Sequence, residues 1–507
     1  MEITDGIYTG YEPDENKVYT TREKITAFAS LGAGAFFTEV IVRSSSGAVG
    51  YSIWFLLLMA LYLFFRRKEI KLKNKFSVLQ LALIIVFTVN LNFISSEIAY
   101  LVDLAFLHTM ISYFIYNTSQ GNTTISDYCF LDILFSVFKA PFKNFSRCIK
   151  TMVAASFSVK KTGNIKYIFL GLIMAVPSVV IVLPLLLNSD NNMKIFFEDF
   201  FNKMYSDIDM RAFISRFLFS MIIGSFVFSV FYTNKYEDAP NRDEQKYQID
   251  RMEKFEPLVM CVMVIPICIL YAIFFVSQLS YFISAFFGTL PEQFSYSEYA
   301  RQGFFELCEI AVINLLVIVF INFFVKKPED TIPLKLKICI IVLSGFTEIL
   351  IATAVSKMVM YISEYGFTRM RVCTTWFMML LAGCFALIIT KQIHPKLSLV
   401  KSIVILSVAS VSILSFGRPD AHIAKWNIQL YEIGVTEELD IDTLSRLSYE
   451  AVPYIDKFAQ SGDRLSDQAS EMLMRKAKNL KISQHNWTKY TYPVAKAEKI
   501  FEKYLPD

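Results

Sequence analysis

Long apolar segments of about twenty residues alternate with short polar connections through the first four fifths of the chain. Stretches such as Ala48–Phe65, Tyr167–Leu187 and Phe304–Val325 are apolar on every side of a helix rather than along one face. A helix of about 20 apolar residues crosses the roughly 30 Å hydrocarbon core of a bilayer, whereas barrel strands are about 10 residues long and alternate in polarity. The pattern therefore predicts an all-α, polytopic helical membrane protein.

About eleven segments are long and apolar enough to be transmembrane helices. They are Ile25–Val42, Ala48–Phe65, Phe76–Ile94, Ile98–Tyr116, Tyr167–Leu187, Phe213–Tyr232, Pro257–Phe287, Phe304–Val325, Leu336–Met360, Arg371–Thr390 and Ser398–Phe416. The first segment is short and contains Glu39, and the last is short and rich in serine. Each of these two either spans the membrane or is re-entrant or absent.

Basic residues predict the orientation of the chain. Lysine and arginine collect in connections that follow even-numbered segments, such as 66–75 and 326–337, and short basic loops remain in the cytoplasm. We therefore expect residues 1–24, which are polar and contain no cleavable signal peptide, to be a cytoplasmic N-terminal segment. Residues 25–416 form the transmembrane domain, and the odd number of spans places residues 417–507 outside the cytoplasm.

Residues 417–507 have the pattern of a small helical soluble domain. Ser448, Ser466 and Pro493 stand before or at the start of stretches whose apolar residues recur every three or four positions, as at capped helix starts. Acidic and basic residues nearly balance in this domain, which gives it no electrostatic attraction for nucleic acid. Its protein partner, if it has one, is not identified by the sequence.

Two segments, near 130–153 and 193–205, are amphipathic and predict helices that lie in the membrane interface. The first has a basic face formed by Lys139, Lys143, Arg147 and Lys150. Such a face predicts contact with the lipid bilayer through anionic lipids of the inner leaflet. Two interpretations remain open: a helix that only seats the protein, and one that senses lipid.

Charged residues within membrane helices are costly, so a group of them predicts either pairing or a water-filled site. The eighth segment carries Glu306 and Glu309 on one face, with Arg301 beside that face. Arg369 and Arg371 begin the tenth segment on the same outer side and are the expected partners of these carboxylates. Ion pairs that only fix helix packing, and a substrate site, are both compatible with this pattern.

The turn before the two arginines is expected to position them. Gly366 can adopt the positive φ that ends a helix, and Thr368 can cap the helix that follows. The complete candidate polar network comprises Arg301, Glu306, Glu309, Glu348, Glu364, Tyr365, Gly366, Thr368, Arg369 and Arg371. A second, thinner group contains Glu39, Glu97, Asp103 and His108, which either complete an outer vestibule or simply lie at the interface or in the helix interior.

The chain shows few signs of enzymatic chemistry. We find no Walker loop, dinucleotide fingerprint, zinc-protease motif or nucleophile elbow, so no catalytic residue, metal site or cofactor is predicted. The eight cysteines are scattered through apolar segments without metal-ligand spacing, and the net charge of +4 is accounted for by basic loops. The sequence leaves enzymatic activity undecided and favours a protein that is not an enzyme.

Three stretches resemble a family of bacterial multi-span membrane proteins classed only as a domain of unknown function, of the DUF4173 and DUF4153 kind. They are 299–306, then 365–371 followed by 375–378, and 419–427. The chain departs from that pattern at Cys373, where an aromatic residue is expected, and at Arg418, where asparagine is expected. The resemblance implies a multi-pass protein of the bacterial cytoplasmic membrane and implies no activity.

The leading functional hypothesis is binding or transport of a small polar or ionic ligand through an outer-facing polar site. One alternative is a sensory or assembly protein whose C-terminal helical domain binds a partner. A second is a membrane-embedded enzyme that acts on a lipid-linked substrate. An aqueous cavity that reaches Glu306 and Glu309 favours transport or catalysis, whereas direct pairing of these carboxylates with Arg369 or Arg371 in a dry interior favours a scaffold.

Overall fold

The structure is a computed structural model that describes residues 19–43, 47–67, 74–156, 210–236, 251–277, 304–327, 331–436, 438–483 and 490–505, with the single positions 182, 189 and 193. Across these ranges the chain is helical and contains no β-strand, apart from one isolated bridge between Phe255 and Val325. The all-α prediction is thereby confirmed.

Eighteen α-helices are present in the described residues, and several are extended by short π- or 3-10-helical turns. They are α1 (Thr21–Phe36), α2 (Ala48–Arg66), α3 (Lys75–Asn90), α4 (Glu97–Gln120), α5 (Cys129–Leu134), α6 (Ala140–Lys143), α7 (Arg147–Ser156), α8 (Met210–Tyr236), α9 (Pro257–Ser277), α10 (Phe304–Phe324), α11 (Leu334–Tyr365), α12 (Arg369–Ile393), α13 (Leu399–Phe416), α14 (Pro419–Glu432), α15 (Ile441–Arg446), α16 (Val452–Ala459), α17 (Ser466–Ser483) and α18 (Tyr492–Phe501).

Ten helices in the described residues are long and apolar enough to cross a membrane, and each corresponds to one predicted span. Both short segments, Thr21–Val42 and Leu399–Phe416, are among them. The eleventh predicted span, Tyr167–Leu187, and the predicted interfacial helix near 193–205 lie outside the described residues. The chain is therefore a multi-pass helical membrane protein.

The described residues group into two compact units. One comes from segments Met1–Arg43, Leu57–Ile70 and Phe138–Glu237, and the other from Ser44–Leu56, Lys71–Val137 and Asp238–Asp507. In the first unit α1 and α8 pack closely because each has a glycine at the contact: a Cβ on Gly34 would lie 2.1 Å from the Ser220 carbonyl oxygen. Small residues permit this close backbone approach between membrane helices.

The second unit contains two separate apolar cores. The membrane core joins α9 to α12, and Asn314 links three of these helices: its Oδ1 accepts from the Tyr271 hydroxyl at 2.8 Å and its Nδ2 donates to Thr347 Oγ1 at 2.9 Å. The other core lies among α14 to α18. Phe367 and Val372, from the turn and start of α12, pack against this second core, so the C-terminal helices are seated directly on the α11–α12 turn.

Candidate functional site

The turn between α11 and α12 is built around Gly366, which has a φ of 70°, the left-handed conformation. A Cβ at this position would lie 2.8 Å from Oδ1 of Asn427 in α14. Asn427 brackets the next residue, since its Oδ1 accepts from the Phe367 N–H at 2.6 Å and its Nδ2 donates to the Phe367 carbonyl at 2.8 Å. Thr368 is the N-cap of α12 and accepts from the Arg371 N–H. Local geometry thus ties this turn to the C-terminal helices.

Arg369 pairs with Asp420 rather than with the acidic face of α10. Its Nε lies 3.0 Å from both carboxylate oxygens and its Nη2 lies 2.5 Å from Oδ2, while the Asp420 side chain is fully buried. The Ser448 N–H donates to Oδ2 at 2.8 Å and the Ser96 hydroxyl to Oδ1 at 3.3 Å. We call these four residues the Arg369–Asp420 centre; it joins the starts of α4, α12 and α14 to the Ser448 loop.

Arg371 has a different role from the one predicted for it. Its Nη1 donates to the carbonyl oxygens of Tyr365 and Gly366, and its guanidinium lies 4.1 Å above the Tyr361 ring. A basic side chain that binds the last carbonyl groups of a helix stabilises that helix end. Arg371 therefore closes the C-terminus of α11.

The predicted pairing of the two arginines with Glu306 and Glu309 is wrong. Both glutamates are exposed on α10, and none of the ion pairs between described residues joins them to either arginine. Glu348 is half-buried on α11, Glu364 and Tyr365 are exposed at its end, and Arg301 lies outside the described residues. The two arginines have other partners. Asp420 provides Arg369 with a buried carboxylate that accepts from two further donors, and Arg371 is hydrogen-bonded to carbonyl groups of the α11–α12 turn.

The second predicted group is also dispersed. Glu39 lies 3.6 Å from Arg216 within the first unit, and Glu97 and His108 are exposed on α4. Asp103 is fully buried in the second unit, where its Oδ2 accepts from the Ser415 hydroxyl at 2.7 Å.

Glu450 is a buried carboxyl close to the Arg369–Asp420 centre and only half satisfied. Its Oε1 accepts from the Ser95 N–H at 2.7 Å, and its own N–H donates to the Ser95 hydroxyl at 3.3 Å. Its Oε2 is buried and has no hydrogen-bond partner. Burial raises the pKa of Glu450 to about 7; the negative charge of Asp420 adds to the shift, whereas the backbone N–H groups of Ser95 and Ser96 and the charge of Arg418 oppose it.

Glu450 lines a cavity of about 300 Å³ between α13, α14, α16 and α18, which we call the tail cavity. Its lining consists of Phe416, Gly417, Arg418, Ala421, His422, Tyr449, Glu450, Pro453, Tyr454, Tyr492, Pro493 and Lys496. Glu450 is 7% exposed, whereas Arg418, His422 and Lys496 are exposed cationic or imidazole groups around it. A buried acid thus lies beneath a basic and aromatic rim.

Arg418 has an unusual backbone conformation. Its φ of 45° makes it the one residue other than glycine with positive φ among the described residues. Such a conformation costs on the order of 1 kcal/mol or more for a residue with a side chain and often accompanies a functional site. The strain positions the arginine between α13 and α14, at the edge of the tail cavity.

Lys476, from α17, approaches the same region from the other side. Its Nζ donates to the Leu447 carbonyl at 2.6 Å and lies 5.9 Å from the centre of the Tyr449 ring. Burial lowers the pKa of Lys476 to about 8, with a further lowering by the positive charge of Arg369 and an opposing effect of Asp420. The region therefore holds the buried Glu450 and the partly buried Lys476, whose pKa values are both shifted towards neutrality.

The residues that sequence reasoning missed are Asp420, Glu450, Ser95, Ser96 and Lys476. One sequence feature points to two of the contacts: the stretches 365–371 and 419–427, which carry the family resemblance, touch each other through Arg369–Asp420 and Phe367–Asn427. Glu450 and Lys476 lie in ordinary amphipathic helical sequence and have no such marker.

Comparison with known proteins gives one family. Residues 76–458, about three quarters of the chain, match the family described as a domain of unknown function, DUF4153. No curated protein and no solved structure matches the chain. The match covers the α11–α12 turn, Asp420 and Glu450.

Proposed function

The chain belongs to the DUF4153 family, and we propose that this multi-pass membrane protein binds a small polar ligand with an anionic group in the tail cavity. The observation that carries the proposal is the buried, half-satisfied Glu450 carboxyl beneath a rim of basic side chains. Buried polar atoms are nearly always hydrogen-bonded, so an unpartnered carboxylate oxygen in a cavity wall marks a position for an added donor.

The size and lining of the cavity suit such a ligand. A volume of about 300 Å³ is at the lower end for small-molecule sites, which combine apolar walls with a few converging polar groups. Arg418 and Lys496 offer hydrogen-bond donors to a phosphate, sulfate or carboxylate group. Tyr454 and Tyr492 offer aromatic faces, and a ligand hydroxyl or amine would donate to Glu450.

Binding at this site has a direct connection to a membrane helix. Glu450 holds Ser95, two residues before the start of α4, through reciprocal hydrogen bonds. A ligand that donates to the other oxygen shares this carboxyl group with Ser95, so occupancy is expected to alter the strength or geometry of the Ser95 contact. This supports a ligand-sensing role more than transport through α10 to α12, where Arg369 and Arg371 are already engaged. On the predicted orientation the cavity faces the outside.

Calorimetric titration of the full-length protein in nanodiscs tests the proposal, with inorganic phosphate, glucose 6-phosphate and glucose 6-sulfate as probes. We expect saturable binding of at least one probe and a loss of about tenfold in affinity in Lys496→Ala, because a charge-assisted hydrogen bond is lost. Lys457→Ala, an exposed lysine on α16 outside the cavity, is the matched control and should bind as the wild type does. Absence of saturable binding to all three probes, or equal effects of the two substitutions, would contradict the proposal.

A further inference from the structure

A basic and aromatic surface in the first unit lies on the short helix α6 and the residues around it. One side of this segment is fixed to α8: the Ala140 carbonyl accepts from the hydroxyls of Ser229 at 2.9 Å and Thr233 at 3.2 Å. Asn144 completes the attachment, since its N–H donates to Ser229 Oγ and its Nδ2 to Thr233 Oγ1, both at 3.1 Å. These hydrogen bonds therefore fix the orientation of the segment relative to α8.

The exposed part of the segment presents two phenylalanines and two lysines, and the Phe142 ring also packs against the Phe226 ring of α8, with 5.0 Å between the ring centroids. Phe138 and Phe142 are 65% and 66% exposed, and Lys139 and Lys143 are exposed beside them. The four side chains line a shallow surface depression. The two rings and the two ammonium groups therefore lie together on one exposed surface.

The contacts of this segment place it at one boundary of the membrane. Ser229 and Thr233 lie in the last two turns of α8, and Cys148, which follows α6, lies 3.9 Å from the Ala27 carbonyl in the first two turns of α1. The end of α8 and the start of α1 are the ends predicted to face the cytoplasm. A segment that contacts both ends lies at the level of the lipid headgroups on that side.

The basic face differs in one residue from the face predicted by helical spacing. Arg147 is 8% exposed, lies 5.8 Å from the centre of the Tyr232 ring and donates to the Tyr19 hydroxyl at 3.5 Å. It therefore packs inside the unit and does not belong to the surface. Lys150 is exposed, one turn further along α7.

We propose that Phe138, Lys139, Phe142 and Lys143 form a docking surface for an anionic phospholipid. The phenylalanine rings contact the acyl chains near the headgroup boundary, and the two ammonium groups bind the lipid phosphate. Aromatic and apolar side chains on such a surface gain by burial in the interface, and lysines are attracted to anionic headgroups. Lipid is the occupant favoured here because the exposed rings lie at the ends of two membrane spans.

Native mass spectrometry of the full-length protein tests the proposal by competition between phosphatidylglycerol and phosphatidylcholine. We expect the wild type to retain phosphatidylglycerol preferentially and the double substitution Lys139→Gln with Lys143→Gln to lose most of that preference. Lys139→Arg with Lys143→Arg should keep it, because the charge remains. Lys457→Gln with Lys499→Gln, exposed lysines of the C-terminal helices, is the matched control and should keep it too.

Two results would overturn the docking surface. One is an unchanged preference in the double glutamine variant when its melting temperature in phosphatidylcholine nanodiscs equals that of the wild type. The other is a rise in the melting temperature of the wild type with glycerol 3-phosphate that equals the rise with phosphatidylglycerol. Glycerol 3-phosphate carries the phosphate and no acyl chain, so this result would show that the surface binds a soluble anion. Addition of salt should weaken the preference, since screening reduces attraction between exposed charges.

Discussion

Two polar centres lie side by side in the second unit and differ in how completely they are satisfied. In the Arg369–Asp420 centre the buried carboxylate accepts from a guanidinium, a hydroxyl and a backbone N–H. In the tail cavity the Glu450 carboxyl has one oxygen bonded to Ser95 and the other without a partner. Both oxygens of the Asp420 carboxylate are hydrogen-bonded, although the Ser448 hydroxyl beside it has no partner, whereas Glu450, which lines the tail cavity, has one carboxylate oxygen without a partner.

This difference distinguishes a centre with a structural role from a candidate ligand-binding site. A fully paired buried ion pair fixes geometry and is costly to break, although it contributes little net stability compared with an apolar replacement. A buried acceptor without a partner is itself destabilising and is retained where it serves another purpose. We therefore assign the Arg369–Asp420 centre to holding the C-terminal helices on the membrane helices, and the tail cavity to ligand binding.

The largest expected effect comes from breaking the paired centre. Asp420→Asn leaves the Arg369 guanidinium without its countercharge in a mostly buried site and should lower the free energy of unfolding by about 3–5 kcal/mol. Chemical unfolding in detergent measures this loss. Glu471→Gln, in an exposed pair with Arg475, is the control and should cost at most about 0.5 kcal/mol. Similar losses of unfolding free energy for the two substitutions would show that the Arg369–Asp420 centre does not hold the C-terminal helices on the membrane helices.

The Gly366 turn gives the next largest effect. Gly366→Ala combines the cost of positive φ with a clash against Asn427 and should destabilise the protein by about 2–4 kcal/mol. Gly434 also has a positive φ, 73°, and open space where a Cβ would be, so Gly434→Ala measures the cost of a positive φ without a steric clash, about 1 kcal/mol. Equal losses in unfolding experiments would mean that the Asn427 contact does not constrain the turn.

The pH dependence of stability should report the protonation of two groups of this region, Glu450 and Lys476. Because the pKa of Glu450 is raised to about 7 from its ordinary 4.5, the folded state holds a proton that the unfolded state releases, and stability should fall by about 2–3 kcal/mol as pH rises through this interval. The pKa of Lys476 is lowered to about 8 from 10.5, so stability should rise again between those values. Melting temperatures across the pH range should pass through a minimum between about pH 7 and 8.

Single substitutions identify the group responsible for each limb of the plot of melting temperature against pH. Glu450→Gln should flatten the limb between about pH 4.5 and 7 and leave the alkaline limb, whereas Lys476→Gln should do the reverse. A profile in which Glu450→Gln retains the full acidic limb would contradict the assignment of the titrating group.

The smallest expected effect is a gain in stability. Arg418→Gly removes the cost of a positive φ and should stabilise the protein by roughly 1 kcal/mol, offset in part by the greater freedom of glycine in the unfolded chain. The same substitution removes a basic group from the tail cavity and should weaken binding of glucose 6-phosphate. If stability rises and affinity is unchanged, the strained arginine has no part in the site.

The helices could be predicted from sequence and the site could not, for identifiable physical reasons. Segments such as Leu399–Phe416 are recognisable because the bilayer fixes a length and a polarity that each helix must satisfy by itself. The positive φ at Gly366 and the cap at Thr368 depend only on neighbouring residues. Arg369 finds its partner 51 residues away, and no local pattern distinguishes Asp420 from Glu306 as that partner.

The most direct test of the central claim is the pH dependence of glucose 6-sulfate binding, because the charge of this probe is constant near neutrality. The measurement is made in a background with His422→Gln and Lys476→Gln, which removes the imidazole of the tail cavity and the neighbouring ammonium group, so that a pH dependence is assigned to Glu450. We predict affinity up to about tenfold higher at about pH 6 than at about pH 8, and a flat response in the additional Glu450→Gln variant. An equal pH dependence with and without Glu450→Gln, or none in either, would contradict the assignment of Glu450 as the binding group.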